Sequence, residues 1–242
     1  MEVIYYGHAC VGIRIGDTHL LIDPFISENP SASHINVNDV PADYILITTA
    51  QQDHTYDVES IAKRTNAKII SNYEISNHYF NLGIENSHPM DLGGAYNFPF
   101  GSIKMVPALH SSTFDDGSAG GCACGFIIKT LDKTVYVAGA TALHFDMQLI
   151  PVRYKVDLAV LPIGGNFTMD VEDAIMASDF VKCNKVLGYH YDTNPLIKID
   201  DKDLAVRSFK AKGKTENTDF IAIVGACLYK LVVKAYTVKP VL

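Results

Sequence analysis

A chain of 242 residues, 48% hydrophobic and 19% charged, carries enough apolar material for a sizeable core and excludes disorder over most of its length. Its net charge of −7, with Lys and Arg scattered, argues against nucleic acid as a partner. No apolar run approaches the roughly 18–20 residues of a membrane span. The start Met1-Glu2-Val3 lacks the basic n-region of a secretory signal. Five scattered cysteines, Cys10, Cys122, Cys124, Cys183 and Cys227, read as free thiols, which suits a cytoplasmic protein.

The chain has no low-complexity stretch, long linker or repeat, so one domain over residues 1–242 is expected. Its first strands fall at 3–6, 10–15 and 19–22, with Gly16-Asp17 as a turn, which predicts an antiparallel meander. A polar loop spans 27–41. A strand at 44–48, a helix at 56–65, a strand at 68–71 and a helix at 74–82 follow; Val58, Ile61 and Ala62 share one helical face. Strands at 103–108, 125–130 and 134–138 restore a β-rich section. A short helix at 145–150, a strand at 158–162, a helix at 171–182 and a strand at 185–189 complete the series. Thr168 is placed as the N-cap of the 171–182 helix. β-rich and α/β sections thus each occur twice, which predicts two mixed sheets packed together with helices outside.

Several apolar strands end in short polar clusters: Asp23-Pro24, Thr48 to His54, His110-Ser111-Ser112, Gly139-Ala140-Thr141, Gly164-Gly165-Asn166 and His190-Tyr191-Asp192. Polar groups carried at the same end of neighbouring strands converge on one cleft. Asp53-His54, His110 and His190 are groups that zinc and related ions take readily. A single His at a strand end is more often an ordinary hydrogen-bonded residue; the adjacent pair and the repeated placement favour a metal.

The segments Tyr6-Gly7-His8-Ala9-Cys10, Leu21-Ile22-Asp23-Pro24-Phe25, Val106 to Ser112, Leu161 to Met169 and Gly188 to Thr193 occur in an order that resembles the metallo-β-lactamase superfamily. The likeness is to its small bacterial metal-dependent hydrolases related to L-ascorbate-6-phosphate lactonase, and it runs to about Val224-Gly225. The resemblance implies a four-layer αβ/βα sandwich with metals at one edge of the sheets. The family's His-x-His-x-Asp-His signature falls on Thr49-Ala50-Gln51-Gln52-Asp53-His54, so both leading histidines are replaced. Its bridging Asp falls on Ala140 of Gly139-Ala140-Thr141. The surviving ligand positions are Asp53, His54, His110 and His190. His110 is all that remains of the first site, whereas Asp53, His54 and His190 could hold one ion with open positions.

This implies at most one zinc or other divalent transition metal per chain. Asp53 and His110 are the catalytic candidates, His110 as general base or hydrogen-bond donor to substrate. His8 and Asn166 are candidates for substrate binding, with a hydrogen-bonded turn residue as the alternative for His8. His144, just after the altered segment, is either a replacement ligand or a helix-start residue. Asp115-Asp116-Gly117 and Gly120-Gly121 suggest a mobile cleft wall behind His110. Two functions stay open. One is a divergent hydrolase of an ester, lactone or phosphoester, using metal-activated water. The other is an inactive paralogue, a pseudoenzyme that keeps the cleft for a small molecule or a protein. The apolar segment 232–242 would suit packing in a homo-oligomer.

Overall fold

The computed structural model describes residues 1–212, 229–232 and 238–240. The early meander forms as expected: β1 (Glu2–Gly7), β2 (Cys10–Ile15) and β3 (Thr18–Ile22) pair antiparallel through tight turns. Then β4 (Tyr44–Leu46), β5 (Lys68–Asn72) and β6 (Ser87–Met90) add in parallel. Parallel neighbours need a crossover. Here α1 (Gln52–Thr55), α2 (Val58–Thr65) and α3 (Tyr73–Asn81) supply it.

The second sheet repeats the scheme. β7 (Ala95–Phe98), β8 (Gly101–Pro107), β9 (Cys124–Lys129) and β10 (Thr134–Val137) are antiparallel. β11 (Leu158–Pro162) and β12 (Val186–Tyr189) follow in parallel, after α4 (Ile150–Arg153) and α5 (Val171–Phe180) respectively. α6 (Lys202–Ala211) packs on α5. β13 (Tyr229–Val232) and β14 (Val238–Pro240) extend the first sheet beyond β1, giving the order β14-β13-β1-β2-β3-β4-β5-β6 against β12-β11-β10-β9-β8-β7.

The first sheet is buried on both faces, and strand alternation shows it. Leu20, Ile22, Leu46 and Ile70 point into the core shared with Phe126, Ile128 and Val137 of the second sheet. Leu21, Ile45, Ile47 and Ile69 point the other way, onto Val58, Ile61, Ala62 and Ile75 of the helices. A period of two with both faces apolar gives the continuous apolar runs seen in the sequence. Each such side chain contributes about 1.5–3 kcal/mol when fully buried.

Three details differ from expectation. The helix expected at 56–65 starts two residues later, as α2, and a separate turn, α1, precedes it; between them the Asp57 carboxylate accepts from Ile26 N (2.6 Å), Ser27 N (3.0 Å) and Ser27 Oγ (2.5 Å). The N-cap of α5 is Asp170, accepting from Asp173 N at 2.9 Å; Thr168 lies two residues too early to reach that donor. β6 and β7 are edge strands. Their sequences, Ser-His-Pro-Met and Ala-Tyr-Asn-Phe, hide them, since an edge tolerates Pro and outward polar residues. Cys227, Val224-Gly225 and most of 232–242 lie outside the described residues. No helix among the described residues is long and apolar enough to cross a membrane.

Candidate metal centre

Two of the strand ends named above meet the β1–β2 turn at one edge of the sandwich. His8 sits in the turn between β1 and β2, Asp53 and His54 on α1 after β4, and His190 directly after β12. One donor atom from each lies within 4.8 Å of the other three. His8, His54 and His190 are buried, while the Asp53 side chain keeps 42% of its surface exposed and forms the solvent side of the cluster.

The backbone is bent to make this possible. His8 (φ 51°), Asp23 (φ 48°) and His190 (φ 57°) are three of the seven non-glycine residues with positive φ among the described residues. Such conformations cost free energy and persist where surrounding contacts hold them. His190 N donates to the His8 carbonyl at 2.7 Å, and the Tyr5 hydroxyl donates to the same oxygen at 3.1 Å. Gly164 is required beside them: a Cβ there would lie 2.3 Å from the His190 carbonyl oxygen.

Two of the three imidazoles are gripped from behind. Asp23, fully buried at the end of β3, accepts from Thr48 N (2.8 Å) and Thr48 Oγ1 (2.7 Å). It also faces His54 Nδ1 at 2.9 Å. A carboxylate can only accept, so His54 Nδ1 carries the proton and Nε2 is left with its lone pair toward the cluster. His8 Nδ1 meets Thr193 Oγ1 at 2.5 Å and its Nε2 meets Asp53 Oδ2 at 2.8 Å. By the same reasoning His8 donates through Nε2 and accepts from the Thr193 hydroxyl. His190 Nδ1 is buried without a hydrogen-bond partner.

The charges reinforce one another. Burial pushes the Asp53 carboxyl up, but His54, His8 and His190 overcome it and hold the group well below the usual carboxylate range. Burial lowers His8, and it lowers His190 strongly, with His8 and His54 adding to the effect on His190. Burial lowers His54 too, yet Asp23 and Asp53 outweigh it and raise that imidazole. Neutral His8 and His190 beside an ionised Asp53 are in the protonation states that a divalent cation needs, whereas His54, held up by the two carboxylates, must release a proton to bind one.

The separations discriminate among the donors. Tetrahedral zinc with bonds of about 2.0–2.1 Å spaces its ligand atoms about 3.3 Å apart. His54 Nε2 and His190 Nε2 are 3.3 Å apart, and they lie 4.0 and 3.9 Å from Asp53 Oδ2. Those three atoms can close on one ion with small movements. His8 stands at hydrogen-bonding distance from Asp53, shorter than a tetrahedral edge, which suits an outer residue that orients the carboxylate.

The remaining sites fall differently. His110 lies outside the four-donor group; it is half-exposed, and its Nδ1 faces the Ser111 carbonyl at 3.0 Å. Burial lowers it, with His54 contributing, so it stands near enough to feel the cluster. The places of the family's two leading histidines are occupied by a structural tie: Thr49 Oγ1 donates to the Ser111 carbonyl (2.9 Å) and Gln51 Nε2 to Ser111 Oγ (3.0 Å). Ala140 is buried, with a methyl where the bridging carboxylate would be. Asn166 is exposed, and no described contact joins it to the cluster. His144 is the residue before a 3₁₀ turn, Phe145–Leu149, and is absent from the four-donor group. The supposed mobile wall is tied down: Gly120 N donates to the Ser112 carbonyl, and Asn72 Nδ2 donates to the carbonyls of Gly120 and Cys122. Asp23 and Thr193 carried no role in the sequence reading. The signal for Asp23 was an acid closing the apolar run Leu20-Leu21-Ile22.

Comparison with known proteins identifies the family and the fold. A family model described as β-lactamase superfamily domain matches residues 18–191. A UPF0173 metal-dependent hydrolase of Flavobacterium johnsoniae is 54% identical over 214 residues, covering 88% of this chain and 94% of the relative. Another from Methylacidiphilum infernorum is 46% identical over 203 residues, covering 84% of this chain and 90% of the relative. Among solved structures, Igni18, a metallo hydrolase from the hyperthermophilic archaeon Ignicoccus hospitalis, superposes with a TM-score of 0.81 at 29% identity, covering 96% of this chain and 99% of that one. An isothiocyanate hydrolase from Delia radicum gut bacteria shares the fold, with a TM-score of 0.70 at 19% identity over 96% of this chain and 99% of that one.

Proposed function

This chain belongs to the metallo-β-lactamase superfamily, among its UPF0173 metal-dependent hydrolases, and we propose that it works as a hydrolase with a single metal. Asp53, His54 and His190 would hold the ion, and zinc suits two imidazoles with one carboxylate. The carrying observation is the convergence of these three donors at 3.3–4.0 Å, with an exposed flank at Asp53. When bound, such an ion supplies Lewis acidity and acidifies water.

The chain's own residues do the rest. Asp23 fixes the His54 tautomer, and His8 with Thr193 behind it holds Asp53 Oδ2 in place. His110, whose imidazole burial holds below its ordinary value, would take a proton from water or donate one to a leaving group. The substrate class we assign is a small ester, lactone or phosphoester, in an otherwise cytoplasmic setting without nucleic acid or membrane partners. The test is elemental analysis of protein purified without chelators, together with a hydrolysis screen. About one equivalent of metal and turnover abolished by Asp53→Ala are expected. Absence of metal would sink the reading.

One observation favours the non-catalytic alternative. Thr49 and Gln51 have turned the first site into hydrogen bonds with Ser111, so half of the family's dinuclear machinery has become scaffold. One equivalent of metal with no turnover across the screen would select it, as a binding module for a small molecule or a protein.

A further inference from the structure

A cavity of about 270 Å³ lies between the second sheet and the helical turns at 145–153, and none of the four donors of the metal centre lines it. Its walls are apolar: Met105 from β8, Ile127 from β9, and Met147 and Ile150 from the turns. Into this apolar space two polar atoms bring no partner. Tyr136, fully buried on β10, has a hydroxyl without a hydrogen bond, and His144 has a buried Nε2 in the same state. Native proteins rarely leave such atoms unsatisfied, and each one calls for a water or a ligand. Both residues line the same cavity, so its wall carries two polar atoms that no protein group satisfies.

The solvent side has the opposite character. Lys104 and Arg153 belong to the lining; the Lys104 ammonium donates to the Gly93 carbonyl and has two further donors, and Arg153 is exposed and enters no ion pair among the described residues. Asp146 is the single acid in the lining, so cations outnumber acids two to one. An engineered cavity of about 150 Å³ accepts benzene, so this chamber has room for a substituted ring. Guanidinium groups favour carboxylates, which they bind through two parallel hydrogen bonds.

We propose that this cavity binds a small hydroxylated aryl carboxylate. The carboxylate meets Arg153 and Lys104, the ring lies against Met105, Ile127 and Ile150, and the hydroxyl pairs with Tyr136 and His144. The proposal is independent of the activity at the metal centre.

Calorimetric titration of the full chain tests it, with 4-hydroxyphenylacetate as the probe. Two controls each lack one contact: phenylacetate lacks the hydroxyl, and 4-hydroxyphenethyl alcohol lacks the carboxylate. Saturable binding of the probe is expected, at least 10-fold tighter than either control. Tyr136→Phe, which removes one oxygen and leaves the packing intact, should erase the preference over phenylacetate. Arg153→Ala should erase the preference over the alcohol. His54→Ala should leave probe binding unchanged. Loss of binding in His54→Ala would put the probe at the metal centre and overturn the proposal. No saturable binding, together with a lower Tm for Tyr136→Phe, would mean that the chamber holds structural water, and would equally overturn it.

Discussion

Asp23 and His54 face each other at 2.9 Å with both side chains wholly buried, and the same carboxylate also receives both the backbone and the hydroxyl of Thr48. One acid at the end of β3 therefore ties together the strand, the loop after β4 and an imidazole of the candidate metal centre. Asp23→Asn keeps the shape but loses the charge and can present the wrong group to Nδ1. Metal affinity should fall by about 10–100-fold. Asp23→Ala should further cost about 3–5 kcal/mol in denaturant unfolding, since it strands buried donors. Wild-type metal affinity in both variants would remove Asp23 from the site.

His8 and His54 should separate in a metal titration. His54→Ala removes a donor that has no substitute, so stoichiometry should drop from one to near zero. His8→Ala leaves the three converging donors and should retain one equivalent with affinity about 10–100-fold weaker. If His8→Ala empties the site as completely as His54→Ala, His8 is itself a ligand.

Restoring the family pattern makes a sharper test. Thr49→His, Gln51→His and Ala140→Asp together should raise the metal content from one to two per chain. The metal-free variant should be less stable by about 3–5 kcal/mol, because the triple change puts an uncompensated carboxylate at a buried position. It also breaks the two hydrogen bonds to Ser111. Metal should return most of that loss. A variant that still binds one ion would show that the surrounding backbone has moved away from the dinuclear arrangement.

Gly164→Ala should act on His190 without touching a donor. The added methyl meets the His190 carbonyl at 2.3 Å, so strand and turn must part. A stability loss of about 1–3 kcal/mol and weaker metal binding are expected. A neutral effect in both measurements would mean that the turn relaxes freely.

Acid should destabilise the metal-free protein. His8 and His190 are held below the ordinary value of 6.5, so the stability linked to them is present above that pH and lost as pH falls beneath it. His54 is raised and runs the other way: its contribution is full below 6.5 and fades as pH rises through its folded value. Two buried imidazoles against one predict a lower Tm at pH 5 than at pH 7. Below pH 4 the depressed Asp53 adds to the decline. A Tm that climbs between pH 7 and pH 5 would show the Asp23–His54 pair in control.

Much of this architecture is legible in the chain. The apolar runs at 20–22, 44–47 and 158–162 mark central strands because burial on both faces leaves no polar interruption. Asp53, His54 and His190 could be marked through the segments around them. His8 could not be joined to Asp53, because that contact depends on a left-handed backbone at His8 and on its Thr193 partner, 185 residues away. The tie from Thr49 and Gln51 to Ser111 was hidden for a related reason: a missing histidine says what a position cannot do, and nothing about its new partner. Asp57 illustrates local misdirection. The sequence reads it as the second residue of a helix, while its carboxylate is engaged by a loop thirty residues earlier and the helix starts after it, at Val58.

The hydrogen bond from His190 N to the His8 carbonyl has a consequence for how the molecule is made. A ribosome delivers the first turn long before the strand that ends in His190. Until that late segment emerges and docks, the β1–β2 turn has neither the backbone donor nor the Thr193 hydroxyl that fix its imidazole. A chain released before position 193 therefore carries Asp53 and His54 without a complete cage, and loading of the proposed metal is expected only after that segment has been made. Pulse-labelled nascent chains of increasing length should retain metal abruptly, once β12 and the segment to Thr193 have cleared the exit tunnel.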